Sequence, residues 1–392
     1  MPAILDQTVP RLDHRAPAKA QAPALSLAPE LASGAQWDRI IAEFDEVCQE
    51  QLHLFSTARW PSVRQEPMVF RLNGEIVGGA LVMIQPLPLR LGALAVSKWA
   101  PMLKHADHPQ ASAIHAGMVE ALVAEYADNR GMMLSVLPRA SIEPDNASYA
   151  QLRARGFQQG SQLLYPNRYI IDLRLSDAEQ RKSFAQKWRY HLNKSEKAGL
   201  SFEHAEPGRL GEFTALYEAM LDRKNFPDHS AYETVPALMN TEIAALRPEL
   251  FFVRHEGEVI AGALIFKAGD RAVYLYGATA DNALPLRAGY FIHWHIIRWL
   301  RDNTSARWYD LGGTDGNHGL HQFKKGMAGD RGVIRPVPPV ANYASRPWPF
   351  LVGNGAFMAR DTANALRRHV AGLFNPAARP DQARDSGQGR AP

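Results

Sequence analysis

Two stretches of this chain repeat one pattern of apolar and polar positions. Residues 70–82 read FRLNGEIVGGALV and residues 253–265 read VRHEGEVIAGALI. In each, an apolar run meets a two-residue turn, Asn73-Gly74 or Glu256-Gly257, and a second apolar run leaves it, which is the signal of a β-hairpin. Arg71, Gly74, Glu75, Gly79, Ala80 and Leu81 match Arg254, Gly257, Glu258, Gly262, Ala263 and Leu264. Single hairpins are common, but a match of this length predicts a duplicated domain.

The patterns that follow each hairpin agree. In the first half, Ile114, Met118, Leu122 and Tyr126 recur at helical spacing over 111–129, Gly131 stops the run, and 132–137 reads as a buried strand. In the second half, 271–278 reads as a strand, 290–300 as an aromatic-rich helix, and 307–311 as a strand ending in Gly312-Gly313. Each half therefore runs strand, strand, strand, helix, strand. The predicted fold is α/β, with mixed sheets, helices packed on them, and a cleft where neighbouring strands splay. The divisions are a disordered tail at 1–34, a first domain at 35–177, a basic linker helix plus second domain at 178–345, and a basic, mostly disordered tail at 346–392.

Composition narrows this little. The 392 residues are 46% hydrophobic and 21% charged, as in soluble two-domain chains, and the net charge of +4 does not mark a nucleic-acid binder. Cys48 is the only cysteine, which excludes an internal disulfide and a cysteine-based zinc site. Gln85, Pro86, Pro88 and Arg90 interrupt the most apolar stretch, short of the ~20 residues a spanning helix needs. Residues 1–33 lack the apolar core of a signal peptide, so a cytoplasmic protein is expected. His293 and His295 do not share a helix face, and His318 and His321 have no evident carboxylate partner, so no metal site is expected. There is no phosphate-binding loop, nucleophile elbow or dinucleotide fingerprint.

The order of elements resembles the GNAT acyltransferase fold. Residues 150–157, AQLRARGF, are similar to a helix ending found in that superfamily. LRAGY at 286–290 sits where those enzymes hold an acyl-CoA pyrophosphate on a glycine-rich helix start, but only Arg287 and Gly289 of that pattern remain. Five further segments are KWRYHLNKSEKAGL (187–200), FTALYEAMLDRKNF (213–226), YLYGAT (274–279), WYDLGG (308–313) and GLHQFKKGM (319–327). Together, over roughly residues 50–335, they resemble the FemABX family, whose fold is similar to two tandem GNAT domains. The resemblance implies transfer of an amino acid from aminoacyl-tRNA to an amine of a peptidoglycan precursor. It implies no tightly bound cofactor, a nucleotide- or lipid-linked muropeptide or similar acceptor, and a monomer without a stable protein partner, peripheral to a membrane surface. No heptad run matches the family's coiled-coil arm, so a compact member is expected.

Site residues follow from the same resemblance. Phe323-Lys324 matches the family's Phe-Lys pair, whose lysine is associated with the reacting carbonyl. An amine attacking an ester builds a tetrahedral oxyanion, and a fixed ammonium stabilises it without a covalent enzyme intermediate. Without the family, a Lys-Lys pair reads as a solvated face. Trp60 and Arg64 match an early Trp-x-x-x-basic motif that contacts the acceptor's diphosphate. Arg223 matches a second anion-binding arginine, the residue type whose planar fork grips phosphate, and each also reads as an ordinary surface arginine. Trp99 occupies a position beside the acceptor site. Asp310 is a candidate general base, or a cap for the Gly312-Gly313 turn. Tyr274 and Tyr276 alternate onto one strand face, lining the cleft or packing the core. Lys187, Arg189, Lys194 and Lys197, interleaved with Trp188 and Tyr190, suit contact with an RNA end or form a solvated face. Two rival readings stay open: an acyl-CoA-dependent N-acyltransferase, and a non-catalytic muropeptide- or glycan-binding module of the same fold.

Overall fold

A computed structural model of the chain describes residues 25–224 and 231–374. They form two mixed sheets. The first orders its strands Ala28–Leu31, Arg64–Leu72, Glu75–Pro86, Ala93–Lys98, Met133–Leu137, Ala341–Tyr343 and Gln158–Gln159, with Met102–Leu103 beside Glu75–Pro86. The second orders Val333–Pro336, Asn167–Asp172, Trp308–Asp310, Arg271–Thr279, Glu258–Phe266, Glu249–His255 and Ser201–Ala205. In each, an antiparallel hairpin leads to a third antiparallel strand. That strand pairs in parallel with the next, Ala93–Lys98 with Met133–Leu137 and Arg271–Thr279 with Trp308–Asp310.

The repeat holds residue by residue. Asn73 and Glu256 take φ of 52° and 51°, and Gly74 and Gly257 take 88° and 86°, the left-handed turn that glycine permits without strain. A bulge falls between Phe70 and Arg71 in one copy and between Val253 and Arg254 in the other. Arg71 donates to Gly74 O at 2.9 Å and to Glu30; Arg254 donates to Gly257 O at 2.8 Å and to Glu203. Glu30 faces Val69 and Glu203 faces Phe252, which are matched positions. Gly79 and Gly262 leave room for an aromatic ring from the helix above. A Cβ on Gly79 would lie 2.7 Å from the Trp37 ring, and one on Gly262 2.8 Å from Phe213.

The halves share apolar contacts. Trp37, Val69 and Leu81 of the first pack in one cluster with Leu238, Phe266 and Val273 of the second. Arg271, itself buried, donates to Ala140 O at 2.8 Å across the junction.

Several expectations need correction. The halves exchange strands. Asn167–Asp172, assigned to the first domain, lies in the second sheet between Trp308–Asp310 and Val333–Pro336. Ala341–Tyr343, assigned to the second domain, lies in the first sheet against Met133–Leu137. A short apolar run specifies a strand, but its partner is chosen by contacts far along the chain. Ala28–Leu31, placed in the disordered tail 1–34, is an edge strand with every residue exposed, so no alternation marked it. The tail from 346 holds one helix, Pro347–Phe374, hidden by Pro347, Pro349, Gly353 and Gly355, all poor helix formers. Residues 1–24 and 375–392 lie outside the described residues. The basic helix is two helices, Asp177–Ser183 and Gln186–Ser195. They part at Phe184-Ala185 because the Ala185 N–H bonds to Gly326 O at 2.9 Å instead of continuing the helix.

Candidate active site

The site begins at the carboxyl end of the central strand Trp308–Asp310, on the parallel pair, where α/β sheets commonly bind ligands. Beyond it the chain turns at Gly312, with φ of 76°. The helix His318–Ala328, capped by the Asn317 side chain on the Leu320 N–H, then lays Lys324 under that turn. The Lys324 ammonium donates to Leu311 O at 2.6 Å and to Gly313 O at 2.5 Å, and only 6% of the residue is exposed. Its Nζ lies 5.9 Å from the centre of the Tyr274 ring. Burial, then the Arg168 charge, lowers its pKa to about 8 against the pull of Asp310 and Asp315. Lys325 is exposed.

Asp310 is spoken for. Its Oδ1 accepts from Arg168 Nε at 3.0 Å and from the Gly312 N–H at 2.9 Å. Burial pushes the carboxyl up, but Arg168, Arg271 and the Gly312 N–H outweigh it and hold it below the usual range. The carboxylate is therefore ionised and held by these donors. It fixes the turn that carries the lysine's two carbonyls, the capping role that the sequence offered beside that of a general base. Arg168, on the exchanged strand, also lies 5.8 Å from the Trp99 ring. Trp99 sits at φ of 55° with its N–H on Leu137 O, so a first-half residue reaches the second-half site.

Aromatic residues wall the lysine. Phe323 packs edge-on to Tyr290 at 4.9 Å between ring centres and lies 5.6 Å from His293. His293 is buried, 3.2 Å from the Tyr309 hydroxyl and 4.9 Å from the Tyr274 ring. Burial and the Lys324 charge lower its pKa to about 3, so the imidazole is neutral. The Tyr169 hydroxyl and His321 Nδ1 share a hydrogen bond one turn before Lys324. Lys324, Phe323, Asp310, Tyr274 and Trp99 thus come together. Arg168, His293, Tyr169 and His321 join them with no motif to announce them; only the polar His-x-x-His spacing before Phe323 hinted at the last.

Other expected residues lie apart. Tyr276 is on the opposite sheet face from Tyr274, because a bulge at Leu275 sets Ile265 against Tyr274 and Leu264 against Tyr276. Tyr276 packs instead on Tyr217 and Tyr232. Arg223 holds Thr279 O at 3.0 Å and Asp281 at 2.9 Å, five residues along the strand from Tyr274. Trp60 carries Lys98 Nζ over its ring at 4.3 Å, beside Trp99. Arg64 is largely exposed and pairs with Glu66. On the second basic helix Lys187, Tyr190 and Lys194 face solvent, as does Lys197 in the turn after it. Trp188 does not: it is 2% exposed and belongs to the core. Arg189 turns inward to the carbonyls of Lys182 and Phe184, closing the break between the two helices. Trp188 is therefore not available to stack on an RNA. Among the described residues, no group of three His, Cys, Asp or Glu converges on a point.

The architecture is that of two tandem GNAT-like halves. An acetyltransferase (GNAT) domain family matches residues 182–325. FemX superposes with a TM-score of 0.66 at 15% identity, over 81% of this chain and 97% of its own. The C-terminal domain of a putative lysylphosphatidylglycerol synthetase from Agrobacterium fabrum superposes with a TM-score of 0.51 at 13% identity, over 83% of this chain and 97% of its own. Among curated proteins, the lipid II:glycine glycyltransferase of Staphylococcus aureus is 32% identical over 77 residues, and that of Staphylococcus haemolyticus 32% over 76. The chain spans 18% of the length of either relative. The fold is similar to that of FemX, with two GNAT-like halves.

Proposed function

We propose that the protein is an aminoacyltransferase that forms an amide between the amino acid of an aminoacyl-tRNA and an amine of a peptidoglycan precursor. The observation that carries this reading is the Lys324 ammonium, buried and aimed by two loop carbonyls, in a FemX-like fold. The acceptor amine attacks the ester carbonyl carbon. The C–N bond forms, the C–O bond to the ribose breaks, and the amine's proton ends on the departing hydroxyl. Lys324 stabilises the intermediate oxyanion, and Asp310 with Arg168 keeps its loop in place. Tyr274, Phe323 and Trp99 shape the walls. Lys187, Lys194 and Lys197, with exposed Tyr190, offer phosphate contacts and a stacking ring to the RNA. Arg64, Trp60 and Arg223 are the candidates for the acceptor's anionic groups.

An acyl-CoA donor is the second reading, favoured by the acetyltransferase domain match. Against it, the helix start that would cradle a pyrophosphate carries Arg287 at φ of 60° where a glycine-rich loop is needed. The test is transfer of label from a pool of charged tRNAs to a nucleotide-linked muropeptide. Label transfer abolished by ribonuclease supports the first reading. Transfer from acetyl-CoA that survives ribonuclease overturns it. No turnover with any donor leaves the binding-module reading.

A further inference from the structure

The proposed reaction leaves one step without an agent. The attacking amine must give up a proton, and the ribose oxygen must gain one. The groups already described are ill suited to carry it. Lys324 is an ammonium that gives two of its protons to carbonyls. Asp310, held below the usual carboxylate range, takes up a proton less readily than an imidazole does. His293 is buried, with a pKa of about 3.

His321 differs on each count. It stands three residues before Lys324 on the helix His318–Ala328, so the two side chains are neighbours on one helix face. Both address the same turn. Lys324 holds Leu311 O and Gly313 O, while His321 Nδ1 lies 2.5 Å from the Tyr169 hydroxyl, beside which Thr314 is buried. Tyr169 is itself buried on the strand Asn167–Asp172, so it anchors the ring. The other ring nitrogen is open. Nε2 has no hydrogen-bond partner among the described residues, yet it is not sealed from solvent. When Nδ1 donates to the Tyr169 oxygen, the neutral imidazole keeps its lone pair on Nε2.

We propose that His321 is the general base of the site and that Tyr169 holds it in the tautomer this requires. The inference rests on the proposed function for its reaction. Nε2 takes a proton from the acceptor nitrogen as the C–N bond forms. The imidazolium returns that proton to the ribose oxygen as the C–O bond breaks, and the protein ends as it began. Around the ring stand Tyr169 and Arg168 from the strand, Asp315 from the turn, His293 from the helix Ala288–Asn303, and His318 and Lys324 from its own helix. All of them enter the pKa that a titration of His321 would read.

Two measurements test this. Nitrogen NMR of the histidine rings should show neutral His321 protonated at Nδ1 in the wild type and shifting toward Nε2 in Tyr169→Phe. A wild-type ring protonated at Nε2 overturns the proposal, and no turnover is needed to see it. The second measurement follows transfer against pH. The wild-type kcat should rise through about pH 6.5 as His321 loses its proton. His321→Gln should lose that rising limb and ~10²–10⁴-fold in kcat, with KM little changed. Free imidazole should restore part of the rate to His321→Ala. His318→Gln, on an exposed neighbour, should keep the limb. A folded His321→Gln that retains the rising limb leaves His321 a structural role and overturns the proposal. A wild type that transfers from acetyl-CoA and never from tRNA overturns the function alone, because the limb can be read with either donor.

Discussion

At the scale of the residue, the proposed chemistry rests on one charge. Lys324→Met keeps the stem and removes the ammonium. Losing one preorganised oxyanion donor lowers kcat ~10²–10³-fold, and single-turnover transfer from charged tRNA would read it. Lys325→Met, on an exposed side chain, should change little; the reverse pattern would move the role to Lys325. The pH response has a definite sign. Lys324 has a pKa of about 8, below its ordinary value, and is charged only below that pH. Its contribution to kcat should fall as pH rises through 8, and the fall should vanish in Lys324→Met. Asp310→Asn strips Arg168 of its counter-charge in a buried site. It should destabilise the fold by about 1–3 kcal/mol as well as lower activity, so a melt and an assay together separate it from Lys324. Phe323-Lys324 was legible because a family motif carries it. Arg168 was not, because nothing in NRYIID says which sheet the strand joins or what lies across from it. Tyr276 was misplaced by a single bulge, which reverses the side-chain alternation that a two-residue period assumes.

At the scale of the element, the hairpin repeat was the most readable feature. Its turn glycines, its bulge and its arginine clamp are set by local sequence, so the two copies keep the same backbone. The close approach at Gly79 and Gly262 makes the equivalence measurable. Gly79→Ala and Gly262→Ala should each cost about 1–3 kcal/mol by overpacking Trp37 and Phe213, read as parallel losses in urea midpoint. A neutral Gly262→Ala would mean that Phe213 yields where Trp37 does not. The basic linker was readable as helical and charged, but not as broken. The break is made by Gly326, which is distant in sequence, and Trp188 was turned from a stacking candidate into core by the same packing.

At the scale of the whole molecule, two domains were legible and their boundaries were not. Periodicity reports whether a segment is a strand; it is silent about partners beyond the next turn. A fragment of residues 178–345 lacks Asn167–Asp172, whose place is between two strands of the second sheet. It should give no cooperative melt, whereas a fragment extended back to residue 163 should regain one. The strand exchange also has a consequence for synthesis. Met133–Leu137 is buried along its whole length in the finished protein, yet its neighbour Ala341–Tyr343 is made some 200 residues later. At ordinary translation speeds the first sheet waits roughly 10–40 s with an apolar edge open. The nascent chain is therefore most vulnerable to aggregation in the middle of its own translation, and holding chaperones should engage it there rather than after release.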